Sequence, residues 1–228
     1  QDLRLQDAAT DTFRVQGTLD ITNGRTLDMD TNDVLLRVDG TLTLGSALPS
    51  AGILLVSNAV TTDLNGTVTS AGSGGTITQT GGTIEVAGAF NLANIAFVPT
   101  GGSTVDLNGT VAQAVTLAAG SDNWRNVDVT GAGTVSVSGG TEWTTISMDV
   151  QGGVLDLNTP TDFTTAETTI ANGATLQNDN TNSIEHKFSG ITGGDCLDIT
   201  EGGSFLFTAN GLTLTFAEGS DVEARDAG

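Results

Sequence analysis

Three kinds of side chain in this sequence could carry chemistry: one acid–base cluster, several runs of carboxylates, and two tryptophans. The cluster is Glu185-His186-Lys187, which holds the chain's sole histidine and sole lysine. A polysaccharide lyase needs a base for the sugar C5 proton, commonly Lys, Arg, His or Tyr, beside a charge-neutralising group. The chain has no Tyr, and the trio lies in a polar stretch, so it reads as a solvated strand face. A glycoside hydrolase needs two opposed carboxylates at a set separation. Asp is plentiful here, but no paired-Asp or Gly-His-Gly signature singles out two of them. No catalytic residue is assigned, and the expectation is a non-enzymatic protein.

Calcium is the one ion the acidic runs suggest, and no resident cofactor is expected. "DMDTNDVLLRVD" sets Asp28, Asp30 and Asn32 at alternating positions and ends in Asp39. An EF-hand loop would place its turn glycine where Asp33 stands, and would lead into a helix rather than "VLLRV". The run therefore reads as a polar corner between two strands. "LQNDNTNS", from Asn178 to Ser183 within it, and "GGDCLDITE", with Asp195, Asp198 and Glu201, read the same way. Trp124 and Trp143 could stack on sugar rings, but burial inside the fold is the expected use of such large apolar rings. Cys196 alternates with Leu197, which predicts an exposed or half-buried thiol. As the only cysteine it makes no internal disulfide. The threonine sets Thr41/Thr43, Thr76/Thr78/Thr80 and Thr213/Thr215 raise the idea of an ice-binding ladder, and their irregular spacing argues against one flat array.

The elements that position these residues follow from composition and rhythm. In 228 residues there are 31 Gly, 38 Thr, 3 Pro and 4% aromatics. Val, Ile, Leu and Thr with scattered Gly suit many short strands joined by tight turns. The charge is −20, from 27 carboxylates against Lys187 and six arginines. Binding phosphates needs a basic face, so nucleic acid is excluded as a partner. No window is long and apolar enough to be a spanning helix. The chain opens on Gln1, and a processed start with this polar strand-rich composition predicts a secreted, extracellular or cell-surface protein.

A motif of Gly, then Thr or a small residue, then alternating apolar positions keeps returning. It appears as "VQGTLDI" (Gly17), "VDGTLTL" (Gly40), "LNGTVTS" (Gly66) and "TGGTIEV" (Gly82). It continues as "LNGTVAQ" (Gly109), "GAGTVSV" (Gly133), "QGGVLDL" (Gly153) and "ANGATLQ" (Gly173). "DLNGTV" itself is written twice, with Asp63 and Asp106 at 43 positions' separation. A recurring period of about 20–25 residues marks a solenoid. Leu19/Ile21, Leu42/Leu44, Ile84/Val86 and Val135/Val137 fall two apart, which is the rhythm of strands. Parallel strands normally need helical crossovers, and no helical period is present, so a coil of stacked strands remains. The expected fold is all-β, a right-handed parallel β-helix of roughly ten turns with an antiparallel sandwich or jelly roll as the alternative. The pairs Asn23–Gly24, Asn65–Gly66, Asn108–Gly109, Asn172–Gly173 and Asn210–Gly211 are predicted corners. There the glycine would supply a positive φ, and stacked Asn side chains would bond along the axis. The N-x-T matches at Asn65 and Asn108 read as incidental to this turn chemistry.

The segment "GGSTVDLNGTVAQAVTLAAGSDNWRNVDVTGAGTVSVSGG" resembles the repeat of secreted bacterial β-solenoid surface proteins, including hemagglutinin-like adhesins. The matching parts are the Asn108–Gly109 corner, the strand Gln113–Val115 and the aromatic-Asn-Val strand Trp124–Val127. The resemblance implies a right-handed parallel β-helix with roles in adhesion, surface display or matrix, and carries no catalytic residues.

The chain reads as an N-terminal strand, cap or assembly segment (1–16), a β-solenoid (17–216) and a polar C-terminal tail (217–228). Open strand edges invite pairing, and neither end carries an amphipathic cap. Leu3 and Leu5 at the start, and Leu212, Leu214 and Phe216 at the end, are the candidate assembly interface. The expected partner is another copy, stacked end to end as the subunit of a filament, surface layer or biofilm matrix. An adhesin or glycan-binding surface module is the second expectation, and a β-helix polysaccharide lyase or hydrolase the third.

Overall fold

The computed structural model describes residues 3–4, 12–22, 24–29, 35–45, 52–56, 61–72, 74–157, 162–178, 185–188, 195–200, 202–207, 213–216 and 221–224. These fall in two compact units, Gln1–Asp106 and Leu107–Gly228. Among the described residues the chain is all-β, a parallel β-solenoid with three parallel sheets and no helix.

In the first unit each rung gives one strand to each of three faces. The first rung is β1 (Leu3–Arg4), β2 (Thr12–Val15) and β3 (Leu19–Ile21), and the next is β4 (Thr26–Met29), β5 (Leu35–Val38) and β6 (Leu42–Leu44). Then come β7 (Gly52–Val56), β8 (Thr61–Leu64) and β9 (Val68–Ser70), followed by β10 (Gly75–Gln79), β11 (Thr83–Val86) and β12 (Phe90–Asn91). The unit closes with β13 (Ile95–Pro99) and β14 (Thr104–Leu107). The faces are β1-β4-β7-β10-β13, β2-β5-β8-β11-β14 and β3-β6-β9-β12.

In-register parallel stacking turns the two-residue rhythm into columns. On the first face Leu27, Leu54, Ile77 and Phe97 lie one over the next, all buried. On the second, Val38, Leu64 and Val86 do the same, and on the third, Leu42, Val68 and Phe90. Each such side chain contributes about 1.5–3 kcal/mol by leaving water, which is what drives the coil closed.

The corner between the second and third faces explains why the motif insists on glycine. Gly17, Gly40, Gly66 and Gly88 stack so closely that a Cβ on Gly40 would lie 2.5 Å from the Gly17 carbonyl oxygen. A Cβ on Gly66 would lie 2.0 Å from the Gly40 oxygen, and one on Gly88 2.2 Å from the Gly66 oxygen. This corrects the Asn-Gly expectation in part. Gly24 (φ 69°) and Gly173 (φ 77°) do adopt positive φ, whereas Gly66 and Gly109 do not. At Gly66 the requirement is close approach of backbones, not a left-handed turn. The Asn65 amide reaches the Asp39 carboxylate of the preceding rung at 3.4 Å rather than another Asn. Asn210–Gly211 and Asn23 lie outside the described residues.

The second unit starts with β15 (Gln113–Leu117), then β16 (Ser121–Asn123), β17 (Asn126–Val129) and β18 (Thr134–Gly139). Next are β19 (Glu142–Val150) with β20 (Val154–Asp156), and β21 (Asp162–Ile170) with β22 (Thr175–Asn178). The last are β23 (Glu185–Phe188), β24 (Asp195–Ile199), β25 (Ser204–Phe207), β26 (Thr213–Phe216) and β27 (Asp221–Ala224). The nine-residue β19 and β21 run through a corner without breaking, which fuses two faces into one sheet. The first half of β19 pairs β16 and its second half pairs β17. The third face is β15-β18-β20-β22-β25.

Aromatic rings fill this unit's core. Trp124 meets Trp143 at 5.2 Å, Trp143 meets Phe163 at 5.5 Å, and Phe163 meets Phe188 at 6.4 Å. Phe188 then stacks on Phe216 at 5.2 Å. These separations are those at which ring pairs attract beyond their area burial. Both tryptophans are buried, as expected.

Candidate functional site

The candidate assembly residues sit at the ends of the sheets. Leu3 is 50% exposed, and Leu214 and Phe216 are each 39% exposed. These are inward-column positions on strands that pair on one side only among the described residues. Leu5 and Leu212 lie outside the described residues. Sequence reasoning missed two more exposed apolar side chains on terminal strands, Phe13 on β2 and Leu206 on β25. Phe13 was legible in principle, since it stands in register with buried Leu36 on β5. A recess of about 150 Å³ opens at the same end of the first unit, lined by Leu3, Leu19, Ile21 and Leu27 with Asp20 and Arg25 among its polar rim.

The second face of the first unit carries a charged column on its outer side. Arg14, Arg37, Asp63 and Glu85 follow one another in strand register. Asp39, just past β5, accepts from both arginines, at 2.6 Å from Arg14 and 2.8 Å from Arg37. The two guanidinium hydrogen bonds hold the Asp39 carboxyl below its ordinary range, Arg37 contributing most. Arg37 also lies 3.5 Å from Asp63, and its own pKa is raised, chiefly by its bond to Asp39. Glu85 has no such relief. Burial first, and then the charges of Asp63 and Asp106, push its carboxyl up. In the second unit Asp128 and Asp149 stand in register, as do Asp198 and Glu223 further along.

Only some of the calcium candidates lie among the described residues. Asp28 is buried on β4 and Asp39 is engaged by arginines, while Asp30, Asn32 and Asp33 lie outside the described residues. Asn178 is buried on β22, Asp198 lies on β24, and Glu201 is outside the described residues. Among the described residues no group of three or more His, Cys, Asp or Glu side chains gathers to hold a metal. Glu185, His186 and Lys187 are consecutive on β23, with Lys187 exposed. The threonines Thr76 and Thr78 on β10 have no threonine beside them in their ladder. Thr76 lies between Ile53 and Ala96, and Thr78 between Leu55 and Val98.

One inward group, Cys196, departs from the sequence reading, and a second, Asp122, was not singled out by it. Cys196 is fully buried, not exposed, and so is its neighbour Leu197. The register shifts between Asp195 and Leu197 where β24 meets β27, and a bulge of this kind lets consecutive side chains share one face. Asp122 on β16 points inward beside Trp143 in register, and burial pushes its carboxyl up to about 6 despite a backbone hydrogen bond from Ala118. Its Oδ2 has no hydrogen-bond partner. No helix among the described residues is long and apolar enough to cross a membrane.

No family model matches the chain, and no curated protein or solved structure does.

Proposed function

We propose that this chain is a non-enzymatic extracellular structural protein, a self-associating β-solenoid subunit of a filament, surface layer or biofilm matrix, in the manner of the bacterial surface solenoids it resembles. The observation that carries this reading is a set of exposed apolar side chains on strands that pair on one side only among the described residues, Leu3 and Phe13 in the first unit and Leu214 and Phe216 in the second. Bare apolar strand edges template the addition of another chain, and contacts between unlike ends propagate unless they close. Burial of Trp124 and Trp143 favours this reading over a glycan-binding module, because neither ring is available to stack on a sugar.

The test is negative-stain microscopy of the native secreted material, with light scattering of the purified chain against salt and calcium. At −20 per copy, assembly should strengthen as salt screens the repulsion, the screening length being about 8 Å at 0.15 M. Isolated particles that neither grow with salt or calcium nor respond to deletion of residues 1–8 would refute it.

A further inference from the structure

The outer side of the first unit's second face carries its charges in a fixed order. Arg14 on β2, Arg37 on β5, Asp63 on β8 and Glu85 on β11 follow one another in register. Asp106 on β14 comes next, close enough for its charge to act on Glu85. At about 4.8 Å per strand the column is about 19 Å long, with cations at one end and carboxylates at the other. The arginine side chains are 52% and 42% exposed. Each guanidinium has five N–H donors in a fork, more than Asp39 and Asp63 take. Glu85, by contrast, lies between two carboxylates that disfavour its charge. Beside the column, on the same outer side, lie the short side chains of Thr61 and Thr83, in register, and of Thr104. They leave room for a second surface to approach.

We propose that this face is a contact surface for the same face of a second copy, laid antiparallel about a two-fold axis at Asp63. Two cations followed by three carboxylates, set against their own reverse, place Arg37 of each copy across from Glu85 of the other. Arg14 of each then stands across from Asp106 of the other. Only Asp63 meets its own twin, and both Arg37 side chains flank that point, each 3.5 Å from the Asp63 of its own chain. Charge order selects this occupant. Laid parallel, two copies would oppose arginine to arginine and carboxylate to carboxylate. A uniformly cationic partner would be repelled at the arginine end, and a uniformly anionic one along the rest. Because one patch serves both copies, the contact closes on itself instead of propagating. It goes beyond end-to-end assembly, uses a different surface and does not depend on it. A column of five strands covers less than the ~800 Å² per partner of a standard interface. A single contact is therefore weak, and it gains where many copies lie side by side.

The experiment uses full-length Arg37→Glu and Glu85→Arg proteins, each first checked for wild-type circular dichroism and thermal midpoint. Analytical ultracentrifugation at about 0.15 M salt then reads pairing, which for wild type should show a Kd of about 0.1 mM. Each variant alone should pair about ten- to thirtyfold more weakly, because reversal turns two attractive pairs per contact into repulsive ones. An equimolar mixture should return to the wild-type affinity, since one copy then offers two carboxylates where the other offers two cations. If Arg37→Glu misfolds, Arg14→Glu with Asp106→Arg takes its place and carries the same expectation. Pairing should also peak at intermediate salt. At about 0.01 M the screening length of about 30 Å lets the −20 charges of two copies repel. At about 1 M a length of about 3 Å weakens the pairs themselves, whereas apolar end-to-end growth keeps strengthening. Single variants that pair like wild type, or a mixture that does not recover, would overturn the contact and leave the filament reading standing. Association that stops at a dimer and is lost in the variants would support the contact and refute the filament. A wild type still monomeric at about 1 mM would overturn both.

Discussion

Gly66→Ala tests whether the recurring glycine serves close approach rather than turn conformation. Gly66 has no positive φ, so a rule based on backbone freedom alone predicts a gain of about 0.4–1 kcal/mol from a stiffer unfolded chain. The structure predicts the opposite. A Cβ at this position would sit 2.0 Å from the Gly40 carbonyl oxygen and 2.5 Å from its carbonyl carbon. Contact at ordinary distance requires the two rungs to part locally by more than an ångström. The corner is flanked by the ladder bonds Asn65 N–H to Val38 O and Leu42 N–H to Thr67 O, both 2.9 Å. Overpacking costs about 1–3 kcal/mol, and weakening one ladder bond adds about 0.5–1.5 kcal/mol. Less the unfolded-state gain, the net loss is about 2–3 kcal/mol, or roughly 5–10 °C in thermal midpoint for a chain of this size. Gly17 is the internal control: it opens the same motif, yet nothing lies within 4 Å of its added Cβ. Gly17→Ala should leave the midpoint of the dilute, low-salt protein unchanged or slightly raised. Equal melting of the two variants, or a Gly66→Ala midpoint within a degree or two of wild type, would refute the close-approach argument.

Asp122 gives a pH prediction with a definite sign. Its folded pKa of about 6 stands above the ordinary 3.8, so the fold bears no penalty below pH 4, loses stability between pH 4 and 6, and bears the full cost above. Asp122→Asn should flatten that part of the midpoint–pH curve and raise the midpoint at pH 8, by the equivalent of about 1–3 kcal/mol; a curve as steep as wild type would sink it. Asp39, by contrast, should titrate below 3.8 in a carboxyl-carbon NMR experiment, and Arg37→Gln should move its midpoint upward, since Arg37 is the larger of its two causes. Cys196 should resist a thiol reagent in the native protein and react on unfolding, because it is fully buried; fast native labelling would show that the bulge does not hold it inside.

The architecture was open to sequence reasoning because two short-range rules agree at every rung. Alternation fixes strands, and a glycine fixes the corner, so Leu42/Leu44 and Ile84/Val86 could be placed inward without coordinates. What escaped were facts set by neighbouring rungs. Arg14, Arg37, Asp63 and Glu85 are 23, 26 and 22 positions apart, so unequal loops hide the column that in-register pairing creates. The bulge at Cys196 inverts the parity that alternation relies on, and nothing local announces it. Asp122 was not singled out in the sequence, and its inward aim follows only from pairing with β19. Gly66 was identified correctly as a corner and given the wrong reason, because its constraint comes from Gly40 and not from its own φ.

The acidic surface bears on the same stacking. Pairing in register forces like outer residues into columns, so Asp63 and Glu85 are neighbours at about one strand spacing. Two unit charges about 4.8 Å apart repel by about 0.9 kcal/mol in water. The same pair of strands buries Leu64, Ile84 and Val86, each contributing about 1.5–3 kcal/mol. The core therefore outweighs the surface repulsion within a rung, and the fold tolerates an acidic exterior. Under the assembly proposed above, a joint between copies would bury only the side chains of a few strands, so the balance there would be closer. Salt should consequently raise the thermal midpoint of the isolated chain modestly while lowering the assembly threshold steeply. If added salt shifted both in equal proportion, the joint would not be where the charge balance is finest.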